Sequence, residues 1–414
     1  MKKSANKVEN NNSSGSKDSI SRRHFIKNAS ATAAAGTAGL AGFGSMGCQK
    51  KLKTVKLRRT DMKVSKFLGD RMADRKLYEL ALASGVNYWH KFGHWADPAP
   101  YDRFRKLDRD SIFVDTTVGS LEKDKAIEIF ERALEKTGFK MIDGFKIHSQ
   151  YKSAEDIKTK MGAIQAFEQL KKQGKTRYLM MSQHVNTTEV FEAAIESEMF
   201  DVIQIPVNPT VPKDYFTKDK FPRKATQDEY LGLIKKASDK GIGITAMKVF
   251  LYGAKNWAEV PDLKERVSKY LPDNQSIATA LIHWALNVPG VQAYGSMLYT
   301  FDELIENLEA VGGELTDDED RGLKKFSEAM NDHYCRMCGA CERANPGGVA
   351  VSDILRFSGY YTGFGESETA KAFYAELPKS KRVDAAKDLG HYEKACPYGL
   401  PLTKMLRKAH IQLT

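Results

Sequence analysis

"SIFVDTTVGSLEKDKAIEIFERALEKTGFKMIDGFKIH", residues 111–148, holds one complete strand–helix–strand unit. Its ends, "SIFVDTT" (111–117) and "GFKIH" (144–148), are short runs rich in β-branched and aromatic residues, the composition of strands. Between them "DKAIEIFERALEKTG" (124–138) is an amphipathic helical pattern that closes on a lysine and a glycine, as helix C-termini do. The same alternation continues in both directions. Further strand candidates are "VSKFL" (64–68), "GVNYW" (85–89), "RYLMMS" (177–182), "DVIQIPV" (201–207), "GIGITAMKV" (241–249) and "GVQAY" (290–294). Helical patterns at 163–175 and 227–241 separate some of them. Eight strand–helix units in a stretch of this length predict an α/β fold, a (β/α)8 barrel over 60–312, with function at the C-terminal ends of the strands. An open doubly wound sheet is the alternative, but no G-x-G-x-x-G follows the first strand.

At 414 residues with 42% hydrophobic content, the chain has room for such a barrel and an appendage. The formal charge of +11 is inflated by the first 47 residues, which carry seven Lys/Arg against Glu9 and Asp18. Without them about +6 remains, spread along the chain, which argues against a nucleic-acid partner. Residues 1–47 read as a targeting segment. "SRRHFIK" (21–27) is followed by the small-residue run "ASATAAAGTAGLAGFGSMG", the pattern of a twin-arginine export signal. The run is too short and too rich in glycine to span a bilayer. It ends at Cys48, where a lipoprotein cleavage box would attach a lipid anchor; Ser45 stands where such boxes usually have Leu. Residues 48–59 then form a linker, and the protein is expected to be periplasmic or membrane-anchored.

The remaining four cysteines lie in 313–414, which is predicted to be a mostly helical domain. "CRMCGACERANP" (335–346) has Cys335, Cys338 and Cys341 at two-residue spacing, then Asn345-Pro346 where a ferredoxin motif carries Cys-Pro. "EKACPYGLPL" supplies the complementary remnant: Cys396-Pro397 is preceded by Tyr392, Leu389 and Ala386 where three cysteines would stand. In two-cluster ferredoxins the last cysteine of each motif ligates the other motif's cluster. Cys335, Cys338, Cys341 and Cys396 are therefore one complete ligand set, predicted to hold one 4Fe-4S cluster. Four thiolates also suit a closed zinc site, but the three-cysteine run with a Cys-Pro ending favours iron–sulfur. Export by a route that carries folded proteins agrees with a cluster inserted during folding.

Several motifs together resemble the aldo/keto reductase family, in the branch with a C-terminal ferredoxin-like extension. "LRRTDMKVS" (57–65) resembles its opening hairpin, and "ALASGVNYWH" (81–90) its second strand. "IDGFKIHSQ" (142–150) resembles the strand ending in the active-site histidine, and "GKTRYLMMSQH" (174–184), "DVIQIPVN" (201–208) and "GIGITAMKVF" (241–250) the later strands. "TFDELIENL" (300–308) resembles the last barrel helix. The resemblance covers nearly all of 57–414 and implies an oxidoreductase in which a Tyr, tuned by Lys and Asp, donates a proton while a His orients the carbonyl. Here the Asp position falls on His90, the Tyr position on Trp95 and the Lys position on Thr117; His148 alone keeps its identity. An indole N–H does not titrate, so the usual acid is missing.

The resemblance also implies a nicotinamide site, altered in turn. Ser182, Gln183, Gln204 and Asn208 stand at cofactor-contact positions, but Val207 replaces the ring that stacks on the nicotinamide. The Gly-rich turn after the first strand is absent, and no basic residue lies between Lys269 and Arg321 to meet a 2′-phosphate. NADP(H) is therefore poorly accommodated. His90, His94, His148 and His184 gather near strand ends, with Lys146, Lys248 and Tyr101 nearby in sequence. They form either an acid/base site carried by His90 or His148, a histidine-held metal, or hydrogen-bonded rim residues without chemistry. "GYYTGFGE" (359–366) covers either the barrel mouth or the cluster. The expected function is an exported iron–sulfur oxidoreductase acting on a small carbonyl or sugar-like substrate, with a redox partner protein. The alternative is a ligand-binding or electron-transfer protein whose cluster is structural.

Overall fold

The structure is a computed structural model. It describes residues 52–94, 99–184, 187–210, 214–216, 222–224, 227–253, 257, 260–272 and 275–414. The targeting segment, Cys48 and Trp95 lie outside the described residues. Residues 52 onward belong to one compact unit.

Eight parallel strands close into a barrel in chain order. They are β1 (Phe67–Met72), β2 (Tyr88–Trp89), β3 (Phe113–Val118), β4 (Gly144–His148), β5 (Tyr178–Ser182), β6 (Val202–Pro206), β7 (Gly243–Met247) and β8 (Val291–Leu298). Closure pairs β8 with β1, Tyr294 standing opposite Phe67. Helices α1 (Arg75–Ala83), α2 (Lys123–Thr137), α3 (Gly162–Lys172), α4 (Thr187–Ser197), α5 (Gln227–Asp239), α6 (Ile277–Asn287) and α7 (Phe301–Ala310) accompany the strands. The expected barrel is therefore present, with two local differences. Strand 64–68 is two elements: Lys63–Ser65 pairs with Thr54–Lys56 as a hairpin, and β1 starts at Phe67. The first arm of that hairpin lies inside the stretch expected to be linker.

Side chains alternate across a strand, so every second residue faces the barrel interior. At the N-terminal end those residues are apolar: Leu68, Tyr88, Phe113, Met180 and Val202 pack together, closed below by Leu57, Met62 and Val64 of the hairpin. One layer further along the same strands stand Asp70, His90, Asp115, Lys146 and Gln204. Gly144 makes the step possible on β4. A Cβ there would lie 2.2 Å from Met180 Sδ and 2.7 Å from Asp115 Cβ. The barrel is thus plugged below and polar above.

After α7, helix α8 (Asp317–Met330) starts at a capping box formed by Thr316 and Glu319. Three more helices, α9 (Val351–Gly363), α10 (Ser367–Glu376) and α11 (Leu402–Leu413), share a core built from Val351, Ile354, Tyr374, Leu406 and Ala409, which includes Cys341. This mostly helical segment lies over the C-terminal mouth of the barrel, where Tyr360, Phe364 and Glu366 line the cavity. The "GYYTGFGE" stretch therefore covers the mouth.

Just ahead of β4, the fully buried Asp143 ties three segments together. Its carboxylate accepts from Val114 N–H at 2.9 Å, from Arg109 at 2.6 Å and from Arg177 Nε at 2.9 Å. Removing it strands an amide and two guanidinium groups. Asp143→Ala is expected to lower unfolding stability by about 3 kcal/mol, read as a reduced urea midpoint; a change below about 0.5 kcal/mol contradicts this role.

Candidate active site at the barrel mouth

A cavity of about 540 Å³ opens between the strand ends and the helical segment above them. Its floor is set by strand register. Thr117 of β3 stands opposite Lys146 of β4, and His148 at the end of β4 stands opposite Ser182 of β5. The inward residues two positions below Thr117 and His148 are thus Asp115 and Lys146, both with no accessible side-chain surface.

These two residues form a buried network with His90. Lys146 Nζ lies 2.9 Å from Asp115 Oδ2, and His90 Nδ1 lies 2.6 Å from Asp115 Oδ1 and 2.7 Å from Lys146 Nζ. Gln204 Oε1 accepts from the same ammonium at 3.5 Å. Burial alone would push the Asp115 carboxyl up, but His90 and Lys146 outweigh it and hold the group below the ordinary carboxylate range. Burial wins at the other two: His90 and Lys146 are both shifted down despite Asp115. Nδ1 faces a carboxylate and an ammonium at once, so its proton is set jointly by both neighbours. Nε2 has no protein partner among the described residues, and His90 lines the cavity. A proton held at the floor can therefore be presented to a bound molecule through one imidazole.

His148 is held differently. Its Nδ1 lies 2.7 Å from Ser182 Oγ, and its ring meets His184 edge to face with centroids 4.9 Å apart. Burial, with Lys91 and Arg356 adding, keeps the His148 imidazole neutral well below its usual pKa. When Ser182 donates to Nδ1, Nε2 carries the hydrogen and points a donor at the cavity. Burial and Lys248 likewise keep His184 neutral. His94 is pushed down to about 4 by burial, then by Lys91.

The helical segment completes the walls. Arg356 of α9 donates to Asp353 at 2.7 Å and to the Tyr360 hydroxyl at 3.2 Å. Glu366, at the start of α10, pairs with Arg71 of β1. Tyr252, which follows β7, packs where Gly359 leaves room; a Cβ at 359 would lie 2.6 Å from Tyr252 Cγ. The cysteine loop adjoins the same wall: Met337 Sδ lies 3.2 Å from Lys248 Nζ and 3.5 Å from the Tyr252 hydroxyl.

All four cysteines of the expected ligand set are free thiols. Cys335 is close enough to Cys396 for burial, joined by that neighbour's charge, to push its thiol up to about 12. Cys341 is shifted up by burial and by both of the others. The Met337 N–H donates to Cys335 Sγ at 3.4 Å, with Met337 and Gly339 at φ of +55° and +74° turning the loop back on itself. Among the described residues, no group of three or more His, Cys, Asp or Glu closes to the distances a single metal ion needs.

Of the expected site residues, His90, His148 and Gln204 line the cavity. Ser182 is engaged by His148, Gln183 donates to Tyr151 O at 2.9 Å, and Asn208 donates to Lys248 O at 2.9 Å while accepting from Thr210. Tyr101 packs on Phe92 and lies outside the cavity lining. Asp115, and the partnership of Lys146 with it, were not anticipated. Their signal was a charged residue two positions below each mouth residue in a strand with no other charge below the mouth.

The buried neutral histidines give the protein an acid-sensitive range. Each takes up a proton more readily unfolded than folded, so stability is full above about pH 6.5 and falls as pH drops toward the lowered folded values. Between pH 7 and 5 the urea midpoint is expected to fall, with a slope of up to about 1.4 kcal/mol per pH unit for each histidine. His148→Gln and His184→Gln should each flatten it; an unchanged slope contradicts the assignment.

Comparison with known proteins agrees with this architecture. The aldo/keto reductase family matches residues 99–328. The fold is similar to the aldo-keto reductase AKR11C1 from Bacillus halodurans in its holo form, at 19% identity and a TM-score of 0.53, over 67% of this chain and 97% of that one. The apo form gives 18% identity and 0.52 over the same shares. No curated protein matches the chain. A match over more than half the chain, on an eight-stranded barrel with its polar layer at the mouth, means that this chain belongs to the aldo/keto reductase family.

Proposed function

We propose that the chain is an exported iron–sulfur oxidoreductase that interconverts hydroxyl and carbonyl groups on a small oxygenated molecule, without a nicotinamide. The observation that carries this reading is the contact between the cysteine loop and the cavity: Met337, between Cys335 and Cys338, touches Lys248 and Tyr252 of the cavity wall. Four free thiols, three of them within mutual electrostatic reach, and an N–H donated to Cys335 suit a 4Fe-4S cluster. A cluster spaces its thiolates more widely than a single ion does, so the absence of a mononuclear arrangement is compatible with it. When bound, a cluster would pass the two electrons of each hydroxyl–carbonyl conversion one at a time between the cavity and the partner protein.

The chain's own residues handle protons and orientation. His148 is placed to orient a substrate oxygen by a hydrogen bond from Nε2, keeping its own proton. His90, backed by Asp115 and Lys146, is placed to take the released protons to solvent or return them in the reverse direction. The missing Tyr is thus compensated by a histidine whose proton is governed from below. That Ser182, Gln204 and Asn208 hydrogen-bond His148, Lys146 and Lys248 supports a site without a nicotinamide. Val207 is buried and offers no ring. The Arg22–Arg23 pair and the run that follows support export, with Cys48 as the point of lipid attachment and a soluble protein as electron partner.

Anaerobic purification is expected to give a brown protein with about four iron and four sulfide per chain, and Cys396→Ala should lose both. Equilibrium dialysis against NADH and NADPH at up to millimolar concentration should find no saturable binding. A colourless protein containing zinc, or saturable NADPH binding, overturns this reading.

A further inference from the structure

Three lysines stand at the cavity or just beneath it, and they are held in different ways. Lys91 pairs with Asp70 at 3.2 Å. Burial alone would lower its pKa, but Asp70 outweighs burial and keeps it a firm ammonium. Lys146 pairs with Asp115 at 2.9 Å and has no accessible side-chain surface, so it cannot meet a ligand. Lys248, directly after β7, lines the cavity and is only half-buried. Among the described residues no carboxylate lies within ion-pairing distance of it; its Nζ meets Met337 Sδ at 3.2 Å and stands 5.7 Å from the Tyr252 ring centroid.

A thioether and a ring face compensate an ammonium poorly. The charged and titratable groups that face Lys248 are Arg356 and Asp353 of α9, Cys335 of the cysteine loop and the neutral His184 after β5. Burial acts first and Arg356 adds to it. Cys335 and Asp353 oppose them without restoring balance, and the amine stays well below its usual pKa. Asp353 is itself engaged by Arg356 at 2.7 Å. The backbone at Lys248 is fixed as well: its φ is +54°, and Asn208 donates to its carbonyl at 2.9 Å. A desolvated lysine beside another cation and without a carboxylate is the form in which an amine becomes a nucleophile near neutral pH.

We propose that Lys248 is a covalent site, where Nζ condenses with the carbonyl of a small uncharged aldehyde or ketone to form an imine. The Nζ lone pair adds to the carbonyl carbon, the C=O π pair moves to oxygen, and one proton passes from nitrogen to oxygen. The carbinolamine then releases its hydroxyl as water, with a proton drawn from solvent, and leaves a C=N bond with the positive charge on Nζ. Hydrolysis reverses both steps, so no oxidant or reductant enters. The activity goes beyond the proposed redox reaction and needs neither a cluster nor a nicotinamide. Its place is the C-terminal end of a barrel strand, where this architecture sets reacting groups, and the cavity of about 540 Å³ admits a small carbonyl compound.

The test treats the full chain, purified anaerobically, with glyceraldehyde and sodium cyanoborohydride near neutral pH, which converts an imine into a stable secondary amine. Peptide mass mapping should place the adduct on Lys248 at a rate about tenfold or more above any other lysine. Lys248→Arg keeps the charge but cannot form an imine; it should lose this adduct while retaining the iron content and far-ultraviolet spectrum of the unaltered chain. If that variant fails to fold, the map on the unaltered chain decides alone. Adducts spread evenly over exposed lysines such as Lys404 and Lys408 overturn the proposal. Labelling of Lys248 only after iron has been removed also overturns it, and makes the lysine an ammonium that balances the thiolates. A colourless, zinc-containing chain that still carries the adduct overturns the iron–sulfur reading and leaves this one standing.

Discussion

Asp115 and Lys146 have no accessible side-chain surface, and each is tolerable there only because the other is present. A lone carboxylate or ammonium at that depth would lose its proton balance or force the barrel open. Their pairing fixes how β3 and β4 meet, since Asp115 stands opposite Gly144 and Thr117 opposite Lys146. It also gives His90 a defined neighbour on each side of Nδ1. The polar layer, the orientation of the imidazole and the level of the cavity floor all follow from this one buried contact.

The barrel was legible because its strands and helices carry their own local signals and because strand–helix alternation admits few topologies. Boundaries were less so. Ser65 and Phe67 both belong to β-rich runs, and only the pairing of Lys63–Ser65 with Thr54–Lys56 separates the hairpin from β1. His90 and His148 could be named as mouth residues because they end their strands. Asp115 was hidden because attention to the strand ends passes over it: it stands two residues below Thr117 on β3, as Lys146 stands two below His148 on β4. A charge one layer below the mouth acts on the cavity only through His90, and that contact leaves no mark in the linear sequence.

The cavity roof was harder to read for a related reason. Tyr360, Phe364 and Glu366 lie more than 200 residues from the strand ends they cover at β1 to β4. Spacing along the chain says nothing of such a meeting. What decides it is shape: Gly359 admits the Tyr252 ring against α9, and Arg71 with Glu366 ties β1 to the start of α10. A single glycine and a single ion pair place a helical segment that composition alone would leave free to sit elsewhere.

The same segment joins two features that look separate in sequence. Helix α9 presents Arg356 and Tyr360 to the cavity, while its opposite side packs into the core that contains Cys341. Cys335 and Cys396 lie against that core too. The roof of the cavity and the cysteine loop are therefore parts of one packed body rather than neighbours across a gap. A change that loosens the cysteine loop must disturb the seat of α9, and with it the guanidinium that helps keep His148 and His184 neutral. The cavity roof and the cysteine loop are coupled mechanically, because close-packed side chains transmit strain instead of absorbing it.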